Sequence, residues 1–157
     1  MGRFYRVCFD GVTVSQAEDL IEVDSSSSKP VLIHRIWLTV AQAALPASAT
    51  FKTRARFLPA TLTAGSTAES GASTTVSKLC PGDAAFGGSV ATNNKTKATT
   101  SGTAVILYTG GGHLYQGEDH LFIHPPTILV SAGFVYEFLA GSTGVVYSGG
   151  CEFEELG

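Results

Sequence analysis

The chain has 157 residues, of which 44% are hydrophobic, 10% aromatic and 15% charged, with a formal net charge of -3 at pH 7. That length holds one ordinary domain with a substantial core, the apolar content excludes a disordered chain, and the low charge leaves a neutral, hydroxyl-rich exterior. A negative balance gives no general attraction to nucleic acid or anionic lipid, so an electrostatic partner has to meet a local patch.

The opening Met1-Gly2-Arg3-Phe4-Tyr5-Arg6 enters a strand pattern at once, without the roughly 7 to 15 apolar residues of a secretory leader. The expectation is synthesis and folding in a cytoplasm. No window approaches the roughly 18 apolar residues of a membrane helix. A first strand over Arg3 to Phe9 sets Tyr5, Val7 and Phe9 on the core face, and Asp10-Gly11 reads as a turn. Leu20 to Val23 follows as a short strand, and Ser25 to Pro30 as a loop. Val31 to Val40 is apolar on both faces and belongs at the centre of a sheet.

Phe51-Lys52-Thr53-Arg54-Ala55-Arg56-Phe57 alternates, with Phe51, Ala55 and Phe57 inward and Lys52, Arg54 and Arg56 outward. This is the one polar pattern above background. It reads either as a solvated face that blocks aggregation or as a docking strip for an acidic protein surface. Nucleic acid fits less well, because no aromatic interleaving or wider basic field accompanies the three cations.

Pro59 to Ser77 is almost purely Ala, Thr, Ser and Gly, a composition suited to a long, flexible surface loop or partner-contacting arm. Ser89 to Thr99 is polar and extended, and Thr103 to Tyr108 is a strand that Gly110-Gly111-Gly112 is expected to break. Further strands are expected near Leu121 to His124, Thr127 to Val130, Phe134 to Leu139 and Gly144 to Tyr147, with the last over Cys151 to Glu154. Together these describe an all-β, single-domain antiparallel β-sandwich over residues 1–157. About eight to ten strands are expected, and the long mid-chain crossing favours a jelly-roll-like winding.

Residues that carry chemistry are sparse. His113, His120 and His124 gather near Glu118 and Asp119, which raises a cupin-like metal enzyme as one reading, but their intervals of seven and four do not place side chains together on one strand face. The glycine triplet lacks the Lys-Ser/Thr that follows a phosphate loop, and there is no Gly-x-Ser-x-Gly elbow. No enzyme activity, metal or cofactor is therefore expected. Tyr115, Gln116, Glu118 and Asp119 offer the aromatic, amide and acid groups of a glycan or receptor binder. Cys8, Cys80 and Cys151 lack zinc-site spacing. Pairing of the terminal strands would bring Cys8 near Cys151, leaving a disulfide or free thiols as the two readings.

Several stretches carry a resemblance over nearly the whole chain. They are Ala17-Glu18-Asp19-Leu20-Ile21-Glu22-Val23, the Lys29-Pro30-Val31 entry to the strand bearing His34, and Pro81-Gly82-Asp83-Ala84-Ala85-Phe86-Gly87-Gly88. Thr92 to Thr103, the Pro125-Pro126 doublet and the ending Gly150-Cys151-Glu152-Phe153-Glu154-Glu155 complete the set. With these the chain resembles the small decoration or cement proteins on the capsid exterior of tailed bacteriophages. The resemblance implies a jelly-roll-like sandwich without enzymatic activity, assembled as a homotrimer, located in the virion and bound to the major capsid protein. Lys52, Arg54 and Arg56 would be one docking surface. The alternatives are a phage tail or fibre-associated module and a glycan- or receptor-binding sandwich.

Overall fold

The computed structural model describes residues 2–42, 50–60, 62–73, 75–141 and 144–157. Fourteen strands run through them. They are β1 (Arg3–Val14), β2 (Glu18–Asp24), β3 (Val31–Val40), β4 (Thr50–Leu58), β5 (Leu62–Thr63), β6 (Ser66–Ala68) and β7 (Val76–Lys78), followed by β8 (Ser89–Thr96), β9 (Thr99–Thr100), β10 (Val105–His113), β11 (Glu118–Leu121), β12 (Thr127–Ile128), β13 (Gly133–Gly141) and β14 (Val145–Glu155). There is no helix among the described residues.

Two six-stranded antiparallel sheets face one another. The first has the order β11-β3-β14-β1-β7, with β12 also on β3; the second has β10-β4-β13-β2-β8-β6. β5 and β9 form a separate two-stranded sheet. Alternation decides what lies between the large sheets: Tyr5, Val7 and Phe9 from β1, Ile33, Ile36 and Leu38 from β3, Phe134, Tyr136 and Phe138 from β13, and Tyr147 and Phe153 from β14 share one buried core. Each fully buried Leu, Ile or Phe side chain there contributes roughly 1.5 to 3 kcal/mol before entropy is counted. A smaller cluster of Leu58, Ala98 and Val135, flanked by Leu62 and Ala104, lies apart from this core. Val135 and Leu58 belong to the second sheet, so its far face is also covered, by the β5 and β9 strap.

The sandwich expected from the sequence is present, with differences that have local causes. Asp10-Gly11 does not turn the chain. Phe9 pairs with Gly149 and Val12 with Tyr147, so β1 bulges and continues. Gly11 takes φ 65 there, and its N–H donates to Ser148 Oγ at 3.1 Å. The glycine triplet does not break β10 either, because these residues pair with Thr53, Lys52 and Phe51 of β4. Gly111 has φ 146, and a Cβ on it would stand 2.4 Å from the Phe51 carbonyl oxygen. The triplet thus permits a close backbone approach within the ladder.

Two further expectations change. The stretch from Pro59 to Ser77 contributes β5, β6 and β7, which pair with β9, β8 and β1. Its small side chains allow it to lie flat on sheets already formed. The last two expected strands are one, β14, which runs unbroken between β3 and β1. The strand total exceeds eight to ten because several elements are two to four residues long.

Candidate functional site

The cations of β4 project from the side of the second sheet that faces away from the main core. Lys52 is exposed. Arg54 and Arg56, expected to form part of an outward strip, instead turn onto Glu137 of β13. Arg54 Nε donates to Glu137 Oε2 at 2.7 Å, and Arg56 Nη2 donates to Oε1. Lys97 Nζ stands 3.5 Å from the same Oε1. Glu137 is fully buried, and register explains the arrangement, since it lies directly across from Arg54 and next to the Val135–Arg56 pair. A buried carboxylate requires such partners, because removing it from water costs several kcal/mol. The proposed docking strip is therefore largely a structural clamp, with Lys52 as its exposed end.

Glu137 sits at one end of a row of acids that sequence reasoning did not single out. On its other side it pairs with Asp19 of β2, and Glu22 and Asp24 continue along that strand. Asp19 Oδ2 accepts the Ala98 N–H at 2.6 Å, while Oδ1 has no hydrogen-bond partner among the described residues. Burial pushes the Asp19 carboxyl up to about 7, reinforced by Glu22 and Glu137 and opposed by Ala98 and Lys97. Glu22 accepts from Asn94 Nδ2 at 2.7 Å and Gly65 N at 2.9 Å, and burial raises it too. Burial and then Glu22 lift Asp24 to about 6, against the Ser89 hydroxyl.

The acceptors on Asp19 and Glu22 hold the strap, because Gly65 lies beside β5 and Ala98 beside β9. Glu18 accepts from Asn93 Nδ2 at 3.1 Å, and burial takes it to about 7. A signal for this row was present in the sequence. Glu18, Asp19, Glu22 and Asp24 cannot all face solvent on one strand, since adjacent residues point to opposite faces.

The histidines do not converge. His113 stacks on Tyr115 with ring centroids 5.1 Å apart, while His120 lies 4.0 Å from Tyr108 and 4.5 Å from Phe122. His124 is exposed. No group of three or more His, Cys, Asp or Glu is placed to hold a metal ion among the described residues. The possible glycan group is dispersed as well. Tyr115 is exposed, Glu118 is buried and accepts from Thr53 Oγ1 at 2.6 Å, and Asp119 is engaged by Arg35 at 2.8 and 2.6 Å.

Cys8 and Cys151 are neighbours in the β1–β14 ladder, where Val7 pairs with Cys151 and Cys8 with Gly150. They lie on opposite faces, Cys8 exposed and Cys151 buried, so the disulfide reading gives way to free thiols.

The outer face of the first sheet carries Arg6 bonded to Glu152, and both Arg6 and Arg35 lie over Trp37, at 5.9 and 5.4 Å. These groups are paired with one another, beside a hollow of about 460 Å3 lined by Arg35, Asp119, Leu121 and Glu152. Large apolar side chains remain exposed elsewhere, notably Ile123 at 86%, Leu121 at 66% and Ile106 at 57%. No protein family, curated protein or solved structure matches this chain.

Proposed function

We propose that this protein is a non-enzymatic structural module that binds the exterior of a tailed-bacteriophage capsid and stabilises it, with the major capsid protein as partner. The observation that carries the binding part of this reading is the division of its surface. Charged groups such as Arg54, Arg56 and Glu137 are committed to holding strands together, while large apolar side chains stand in solvent.

The capsid part rests on the sequence resemblance. A jelly-roll-like winding belongs to the same reading, and it is supported by the way β3 and β4 lie beside β14 and β13 in the two sheets, so that two linked strand pairs wrap round the core together. Attachment through several copies needs no strong single contact, because each bound copy raises the effective concentration of the next.

The test compares thermal or osmotic rupture of matched particles with and without the protein. Delayed rupture of particles carrying it supports the capsid role. Identical rupture, together with its absence from purified heads, would reject that role in favour of a tail-associated or receptor-binding module.

A further inference from the structure

β10 is the outermost strand of the second sheet and bonds only to β4 among the described residues. Every second residue of such a strand directs its N–H and C=O away from the sheet. Natural edges of this length are usually blunted by Lys, by Pro or by a covering segment. β10 has nine residues, Val-Ile-Leu-Tyr-Thr-Gly-Gly-Gly-His, without a charge or a proline. On the neighbouring β4, Arg54 and Arg56 are taken up by Glu137 and Lys52 stands across from Gly111, but the sequence flanking β10 is bare. No charged residue occurs between Lys97 and Glu118, nor between Asp119 and Glu137.

Folding brings part of the second stretch beside the first. The chain reverses after β10, where Gln116 N donates to His113 O at 2.9 Å, and β11 returns with His120 stacked on Tyr108. β11 and β12 line the free side of β3, and β11 packs against β10. Val105 and Ile106 on β10 are 49% and 57% exposed, and Ile123, in the link from β11 to β12, is 86% exposed.

We propose that the β10 edge is the interface with a second copy of the same chain, in which two β10 strands pair antiparallel about a twofold axis and join two sheets into one. Lys52 alone offers a charged partner little beside this edge, whereas an uncharged, extended strand matches the nine uncharged residues of β10. Among the strands described at the sheet edges, β6, β7, β11 and β12 have two to four residues, so β10 is matched in length by β10 itself.

The two halves of β10 also complement each other. Pairing centred on Thr109 sets Ile106, Leu107 and Tyr108 of one copy across from Gly112, Gly111 and Gly110 of the other. There the missing side chains leave a hollow of about 620 Å3, lined by Phe51, Lys52, Tyr108 and the glycines. Large side chains set across from bare glycines are a recurrent way of pinning register. The interface is isologous, and its stoichiometry of two differs from the threefold assembly that the resemblance implies. It stands on the strand edge and does not rest on the capsid reading.

The experiment is light scattering of the full chain from about 1 to about 50 µM, together with hydrogen exchange of the β10 amides over the same range. The expected mass is twice the 16.3 kDa of one chain at the upper end, with β10 exchange slowed roughly tenfold or more as concentration rises. A Val105→Lys, Ile106→Lys double variant should return to the single-chain mass with its circular dichroism unchanged, because both side chains are exposed. A monomer throughout, a trimer, or a dimer that survives both lysines would overturn the proposal. If the double variant does not fold, the concentration dependence of β10 exchange in the natural chain decides the matter.

Discussion

Arg54 and Glu137 face each other across β4 and β13, and their contact, 2.7 Å from Nε to Oε2, joins a solvent-reaching cation to a carboxylate with no exposure of its own. Arg56 closes on the second carboxylate oxygen, so the β4 cations differ in role although they alternate identically in sequence. Replacing both Arg54 and Arg56 with Ala should lower unfolding free energy by about 3 to 5 kcal/mol, the usual cost of stranding a buried charge. Lys52→Ala should stay within about 0.5 kcal/mol. Urea denaturation of the two variants checks this, and equal effects would refute the clamp.

The buried acids give stability a definite dependence on pH. Asp19 and Glu18 are held up to about 7 and Asp24 to about 6, above the ordinary carboxylate range near ~4. The folded state thus keeps protons that the unfolded chain releases. Their contribution is fully present below ~4 and is lost as pH climbs to ~7. The midpoint of thermal unfolding should therefore fall between about pH 5 and about pH 8, by roughly 5 °C or more. Asp19→Asn should flatten that slope. A midpoint that rises over this interval would contradict the assignment.

Thiol reactivity should separate the three cysteines. Cys8 and Cys80 are exposed, whereas burial pushes the Cys151 thiol far up and keeps it protonated. A chromogenic disulfide reagent should titrate two thiols in the native protein and a third on unfolding. Mild oxidation should not produce a Cys8–Cys151 bond within one chain. Recovery of a peptide linking these residues from native protein would count against the β1–β14 register.

Gly111→Ala should cost about 1 to 3 kcal/mol, because the residue holds φ 146 and the added carbon would meet the Phe51 carbonyl oxygen. Around Gly82 no described residue beyond its chain neighbours lies within 4 Å of where a Cβ would stand, so Gly82→Ala is the matched control and should be close to neutral. Similar losses at both sites would show that the triplet is not needed for the ladder.

Most of the sheet framework was legible because strand alternation is a local signal. Tyr5, Val7 and Phe9, or Phe51 and Ala55, declare a buried face within a few residues. The errors fell where the deciding partner is distant. The Asp10-Gly11 bulge depends on Ser148, and the continuity of Gly110 to Gly112 depends on the backbone of Phe51 and Lys52. The inward turn of Arg54 and Arg56 depends on Glu137, some eighty residues later in the chain. The strap over β2 was unreadable for the same reason, since Ala, Ser and Thr give no sign of which surface they cover. Knowing that it covers Asp19 and Glu22 is what turns an apparently solvated acidic strand into a buried one.

The placement of β14 between β1 and β3 sets the order in which this protein can be made. Arg3 bonds to Glu155 across 152 positions of sequence, so β1 waits for β14. Until β14 emerges, β1 and β3 each expose an unpaired edge, and the first sheet has no centre. Such long-range closure is slow compared with local hairpin formation. The sandwich therefore cannot close before β14 is made, and during that interval the nascent edges are open to wrong partners, including those of neighbouring copies on the same message.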